Sequence, residues 1–592
     1  MYGGDVDDET QKTPVDSARL STSRRSVLKS VGILGGAGLL SGIGSAESSG
    51  GTSERTSKFD PREATAAEIR ELYRTNQTTV TDVVERYLER IRAYEEELGA
   101  IIRVNPHVMD RAAELDAALE SNELVGPLHG VPVLLKDNND TADIPTTAGS
   151  VSMKESTPPD DATIVSWIRD AGGIVLAKTN LHEFAFGYDT VSSLGGVTHN
   201  PYDTDRYAGG SSGGTGAGIA ASLGVLGTGT DTGGSVRVPA AATGLVGLRP
   251  STGLVSRDGI VPLALTEDTA GPMTRTVADA AVFTDALVGY DPADPETAES
   301  VGRTPHAEGG SYTDYLNEDG LDGARIGVYR DYVGPTEEEV DEADEAVVED
   351  AKAVTAVFDD ALADLERAGA TVVDPVEAPS WEFVYEANVS SSDEFNRDID
   401  AYLEGRGDDT PDSLEAIVES DEYAPAICES IREREEVDED ALDENVDYLR
   451  GLSKRDDLQE FVLGTMAEHD LDAIVYPALR HTPPHIDSDE PWGSNAQLTP
   501  ALEFPSMTVP AGLTEGSSMP VGIEFVAREY REERLFELGY AYEQESNQRR
   551  PPEGFGPVDA SGEDWSAERI DSWNEAQHEE QTVARLGCGD GQ

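Results

Sequence analysis

The chain has 592 residues, with 116 Asp+Glu against 44 Lys+Arg and a formal net charge of −72 at pH 7. A chain of this length can bury a large core, and so negative a field repels phosphate backbones, which excludes nucleic acid as a partner. The acids are interspersed with patterned apolar stretches rather than gathered in a tail, the signature of a salt-adapted, halophile-type surface and not of a disordered chain.

Residues 1–46 read as a targeting region. Within it, STSRRSVLKSVGILGGAGLLSGIGSA places paired Arg24 and Arg25 before a glycine-rich apolar run, Val31 to Ile43, and a small-residue end at Ala46. The run is shorter than the about 20 residues a spanning helix needs. It is similar to a twin-arginine export signal, predicting an extracellular or cell-surface protein with no stable membrane span. Residues 47–60 are rich in Ser, Gly and Thr and read as a linker.

The main body is expected over residues 61–550. Val80, Val83, Val84, Tyr87, Leu88 and Ile91 recur at helical spacing and predict an amphipathic helix. Short β-type runs then alternate with helical sequence: Val131–Leu135, Ile174–Ala177, Arg325–Tyr329, Thr371–Val373, Ala473–Tyr476, Ser506–Val509 and Val521–Val526. Alternation of this kind predicts an α/β sheet covered by helices. From about 380 to 460 the strand signal vanishes, and the acidic helical sequence there predicts a cap over the site. Residues 551–592, rich in Pro, Gly and acids, are expected to form a loosely ordered tail. Cys428 and Cys588 are far apart and lack any C-x-x-C or Cys/His spacing, so they read as unbonded, with no zinc site. The histidines show no metal-ligand spacing either, and neither metal nor cofactor is expected.

Glycine and serine crowd most densely in residues 207–250, YAGGSSGGTGAGIAASLGVLGTGTDTGGSVRVPAAATGLVGLRP. Ser211 and Ser212 are flanked by Gly209, Gly210, Gly213 and Gly214, and Ser235 follows Gly233 and Gly234. Glycines let main-chain N–H groups approach a bound group closely, as an oxyanion hole requires. Upstream, LHGVPVLLKD at 128–137 is an apolar run that delivers Lys136 and Asp137 at its carboxyl end, where open α/β sheets place their sites.

Lys136, Ser211 and Ser235, in this order and at these intervals, resemble the amidase signature family. The likeness runs from about Thr65 to Glu545 and takes in AGGIVLAKTNLHEFAFG, VGLRPSTGLVS, DTAGPMTRTVADAA, FPSMTVPAG and MPVGIEFVAREY. Arg249 stands where the family commonly has lysine, and Glu503-Phe504 precede Pro505 where it tends to have a glycine. The resemblance implies a single large mixed sheet covered by helices on both faces, and hydrolysis of a small-molecule amide without metal or cofactor. By motif position, Ser235 is the implied nucleophile, Ser211, with a cis peptide bond, the proton relay, and Lys136 the base. The amides of Thr232, Gly233, Gly234 and Ser235 are the implied oxyanion hole, with Ser212, Asp231 and Arg237 in support.

The residue types suit that chemistry. A serine hydroxyl needs a base, and lysine serves only when neutral, so its ordinary pKa of about 10.4 must fall by roughly 3 units on burial. Three other readings compete. GGSSG also satisfies G-x-S-x-G, the elbow of α/β-hydrolases, but polar THNPYDTDRYA precedes it where a buried strand belongs. The chain also resembles the amidotransferase subunit that makes ammonia for aminoacyl-tRNA amidation, against which the export signal and the charge argue. A non-catalytic exported binding protein of the same fold is the third, and the intact Lys136, Ser211 and Ser235 oppose it.

Overall fold

The helix foreseen from Val80 runs Val80–Leu98 and buries the expected stripe, including Val83, Val84, Tyr87, Leu88 and Ile91. Thr79 caps its start, its side chain accepting from Asp82 N at 3.0 Å. Gly99 ends it at φ 57°, where a Cβ would lie 2.4 Å from Val197 O. This is a computed structural model, and it describes residues 59–588 apart from 122, 389–390, 408, 438–441, 443, 563 and 584–585. The export segment and most of the linker lie outside the described residues.

The strands are β1 (Ile101–Val104), β2 (Pro132–Lys136), β3 (Ile174–Thr179), β4 (Val191–Ser192), β5 (Gly196–Val197), β6 (His199–Asn200), β7 (Asp203–Tyr207), β8 (Leu226–Asp231), β9 (Val246–Arg249), β10 (Thr269–Thr274), β11 (Arg325–Val328), β12 (Thr371–Val373), β13 (Ala473–Pro477), β14 (Ser506–Leu513) and β15 (Pro520–Val526). Eleven of them form one sheet in the order β1-β3-β2-β8-β10-β9-β14-β15-β13-β11-β12, while β4-β5 and β6-β7 are separate ribbons. The sheet is mixed: β2 runs parallel to β3 and β8, and β11 to β12 and β13, whereas β8, β10, β9, β14 and β15 pair antiparallel.

Helices cover both faces. Ala473 and Val475 of β13 enter a core with Phe358 and Leu535. Ile474 and Tyr476, one residue out of phase, enter another with Leu458 and Val462. Between β12 and β13 the described residues hold no strand and several helices, among them Trp381–Ala387, Ser391–Leu403, Cys428–Glu435 and Val446–Glu468, the expected cap.

Two expectations are corrected. The C-terminal segment is not a loose tail: a helix, Ala567–Gln581, docks on β1, with Asn574 Oδ1 accepting from Val104 N and Asn574 Nδ2 donating to Val104 O, each at 2.9 Å. Trp565 and Ile570 join the core there, apolar anchors that a Pro/Gly/acid average conceals. Cys428 and Cys588 are not unbonded but joined in a disulfide, Cα–Cα 5.4 Å, because the docked C terminus returns to the cap.

Candidate active site

The parallel pairing of β2 and β8 sets Val133 beside Leu226 and Leu134 beside Gly227, bringing the carboxyl ends of both strands to one edge. Lys136 ends β2 and Asp231 ends β8. Two lysines are fully buried. Lys178 pairs with Asp137 Oδ1 at 3.0 Å, whereas Lys136 meets hydroxyls only, its Nζ 2.7 Å from Ser211 Oγ and 2.7 Å from Thr230 Oγ1. Burial pushes Lys136 down to about 7, against the opposing charges of Asp268 and Asp231.

Ser211 follows a cis peptide bond with Gly210 and leads into the small-residue helix Gly213–Ala220. A Cβ on Gly214 would lie 2.4 Å from Asn180 O, so only glycine lets that helix start against the chain around Asn180. Ser212 donates its backbone N–H to Ser235 O at 3.3 Å, and its hydroxyl accepts from Thr230 N at 3.3 Å, fastening the serine pair to β8 and to the turn beyond it. Ser211 is fully buried, and Ser235, 6% exposed, opens on a cavity of about 490 Å³. Ala185, Phe186, Tyr188, Leu263, Asn388 and Gln497 contribute to its walls. Neither serine bonds an imidazole. His182 turns its Nδ1 to Asp189 O, and β7, ahead of the serine pair, belongs to a two-stranded ribbon, so the nucleophile-elbow reading has no support.

The turn 232–235 is held from three sides. Asp231 accepts from Gly234 N at 2.9 Å, Val236 N at 3.1 Å and Arg237 Nε at 3.0 Å. Arg237 reaches on to Glu524 Oε1 at 2.7 Å, and Arg249 binds Asp231 O and, at 2.8 Å, Glu267 O. Burial alone would raise Asp231, but the Arg237 and Arg249 charges hold it below the usual carboxylate range. Tyr188 donates to Gly233 O at 2.6 Å, and Thr232 Oγ1 donates to Asp268 Oδ1. Burial lifts Asp268 to about 6 in spite of its hydrogen bonds.

The expected oxyanion hole is corrected at one residue. The Gly234 amide is turned to Asp231, while those of Thr232, Gly233 and Ser235 have no partner among the described residues. Gly234, at φ 124°, would set a Cβ 2.4 Å from Ala496 Cβ, and one on Gly233 would lie 2.7 Å from Gln497 Nε2. Sequence reasoning missed Thr230, Asp268 and Tyr188; the first two sit inside quoted motifs at strand ends, the one signal that marks them. Glu503, in the place where a glycine is usual, has φ 59°, the left-handed region that favours glycine.

A buried amine of lowered basicity, hydrogen-bonded to a serine and set near a second serine at a turn with free amides, can carry out acyl transfer. Residues 82–536 match the family described as Amidase, and the chain belongs to that family, the amidase signature hydrolases. Relatives span most of its length. A glutamyl-tRNA(Gln) amidotransferase subunit from Thermoanaerobacter pseudethanolicus is 31% identical over 83% of this chain and 98% of its own. A probable amidase of Arabidopsis thaliana is 31% identical over 84% and 93%. Among solved structures, the native peptide amidase of Stenotrophomonas maltophilia superposes with TM-score 0.70 at 35% identity, covering 83% of this chain and 98% of that one.

Proposed function

We propose that this protein is an exported amidase that hydrolyses carboxamide C–N bonds through an acyl-enzyme on Ser235. One observation carries the reading: the fully buried Lys136 has no carboxylate partner and lies 2.7 Å from Ser211 Oγ. Neutral Lys136 takes the Ser211 proton while Ser211 takes that of Ser235, and Ser235 Oγ bonds the substrate carbonyl carbon. The amides of Thr232, Gly233 and Ser235 receive the negative oxygen. Collapse of the tetrahedral intermediate breaks the C–N bond, the amine leaves with the proton returned through Ser211, and water then hydrolyses the ester by the same relay. Asp231 and Arg237 shape the turn in this scheme, and Ser212 supports it.

Export is supported by the Arg24-Arg25 segment and by the Cys428–Cys588 bond, since disulfides persist in oxidising compartments. The glutamine-hydrolysing role in the amidotransferase relatives' name is the second reading; export and a net charge of −72 disfavour it. The test is ammonia release from an amide panel in multimolar salt, beside Ser235→Ala. The parent should turn over and form an acyl adduct on Ser235, visible by mass spectrometry. Turnover surviving in Ser235→Ala would remove the assignment.

A further inference from the structure

Asp268 belongs to no part of the relay, yet it joins two walls of the cavity. Its Oδ1 accepts from Thr232 Oγ1, and its Oδ2 accepts from Leu263 N at 2.8 Å and Ala264 N at 3.1 Å. Thr232 and Leu263 both line the cavity that holds Ser235, whereas Asp268 lies behind them. The backbone of Thr232 makes no hydrogen bond among the described residues, so its hydroxyl is its one polar tie. The far side of the same loop is gripped by the cap helix Ser391–Leu403. Leu265 N donates to Asp398 Oδ2 at 2.9 Å, and Thr266 N to Glu394 Oε2 at 3.2 Å. Asp268 is thus the joint between a loop anchored to the cap and a turn that is otherwise free at Thr232.

We propose that Asp268 is a positioning residue, holding the Thr232 amide at the oxyanion side of the cavity. The inference rests on the acyl-transfer reading above. An oxyanion donor acts only when it is aimed in advance at the place where charge develops, and a displacement of about 1 Å in such a group costs on the order of 100-fold in rate. The charged groups acting on Asp268 or acted on by it come from three other segments: Lys136 of β2, Arg257 of the preceding loop and Asp398 of the cap helix. The carboxylate of Asp268 favours the protonated form of Lys136, so removing its charge makes the amine easier to deprotonate.

The experiment compares Asp268→Asn, Thr232→Val, Thr232→Ser and the Thr232→Val/Asp268→Asn double variant of the full chain in multimolar salt, with melting curves to establish folding. Asp268→Asn and Thr232→Val should each lower kcat about 100-fold with KM within about threefold. Thr232→Ser, which keeps the hydroxyl, should stay within about threefold of the parent. The double variant should be no slower than the slower single one, because both changes cut the same bond. The acid limb of the Asp268→Asn pH profile should move to lower pH. A folded Asp268→Asn within about tenfold of the parent, or losses that multiply in the double variant, would overturn the proposal. Ser235→Ala run alongside keeps the two readings apart: only turnover in that variant would strike at the acyl-enzyme itself.

Discussion

The fall of Lys136 from the ordinary lysine value of 10.5 to about 7 can be read both in the rate and in the stability. If the neutral amine is the base, kcat/KM follows its deprotonated fraction, so two pH units below the inflection the rate should be about 1% of its plateau. Released ammonia, followed from pH 5 to 9 at constant multimolar salt, should therefore show an acid limb bending near 7. Stability follows from linkage. The unfolded chain holds the Lys136 proton up to 10.5, and the folded one releases it near 7. The burial penalty is therefore full below 7, shrinks as pH rises between the two values and is gone above the higher one. From pH 6 to pH 9 that penalty falls by about 3 kcal/mol. Lys136→Met escapes it, so its stability relative to the parent should be greater at pH 6 than at pH 9 by that amount, measured by chemical denaturation at fixed salt. A limb bending near 4 would point to a carboxylate, and a Lys136→Met difference that does not change with pH would refute the burial argument.

Replacing Arg237 with Met strands Asp231 and Glu524 as buried carboxylates; a loss of about 3–5 kcal/mol in denaturation and of activity is expected, and a neutral effect would show that Arg249 alone suffices. Cys588→Ser opens a covalent loop spanning 160 residues, for which chain entropy sets an effect of about 5 kcal/mol. Reductant should reproduce that loss in the parent and leave the variant unmoved. With a net charge of −72, the melting temperature should fall steadily as KCl is lowered from multimolar to millimolar. A melting temperature indifferent to salt would remove the halophilic reading.

Where the chain obeys ordinary patterning, the fold was legible. All seven foreseen strands exist, and Thr371–Val373 matches to the residue. The strands that escaped, above all β8 (LGTGTD) and β10 (TAGPMT), lie in the middle of the sheet, where close packing replaces side chains with glycine. A Cβ on Gly227 would sit 2.4 Å from Thr215 Cγ2, and one on Gly271 2.0 Å from Leu248 O. Such segments lose the alternation that marks a strand. At the site, motif order sufficed to bring Lys136 and Ser211 together. It could not reveal that the Gly234 amide is taken by Asp231, because that depends on which way one peptide turns. Nor could it reveal Tyr188 on Gly233 O, a bond across 45 residues of chain. The disulfide and the docked helix Ala567–Gln581 were hidden for a related reason: local composition describes a segment's neighbours in sequence, and both depend on partners far along the chain.

The Cys428–Cys588 bond turns residues 428–588 into a closed ring that holds the cap helix Val446–Glu468, β13 to β15 and the terminal helix. A single proteolytic cut inside that ring divides the chain without detaching anything: the new ends stay tethered, and the packed pieces remain one molecule until a reductant arrives. For a catalyst working among secreted proteases, the bond thus confers tolerance of nicking, a kind of durability that does not depend on how tightly the fold resists melting.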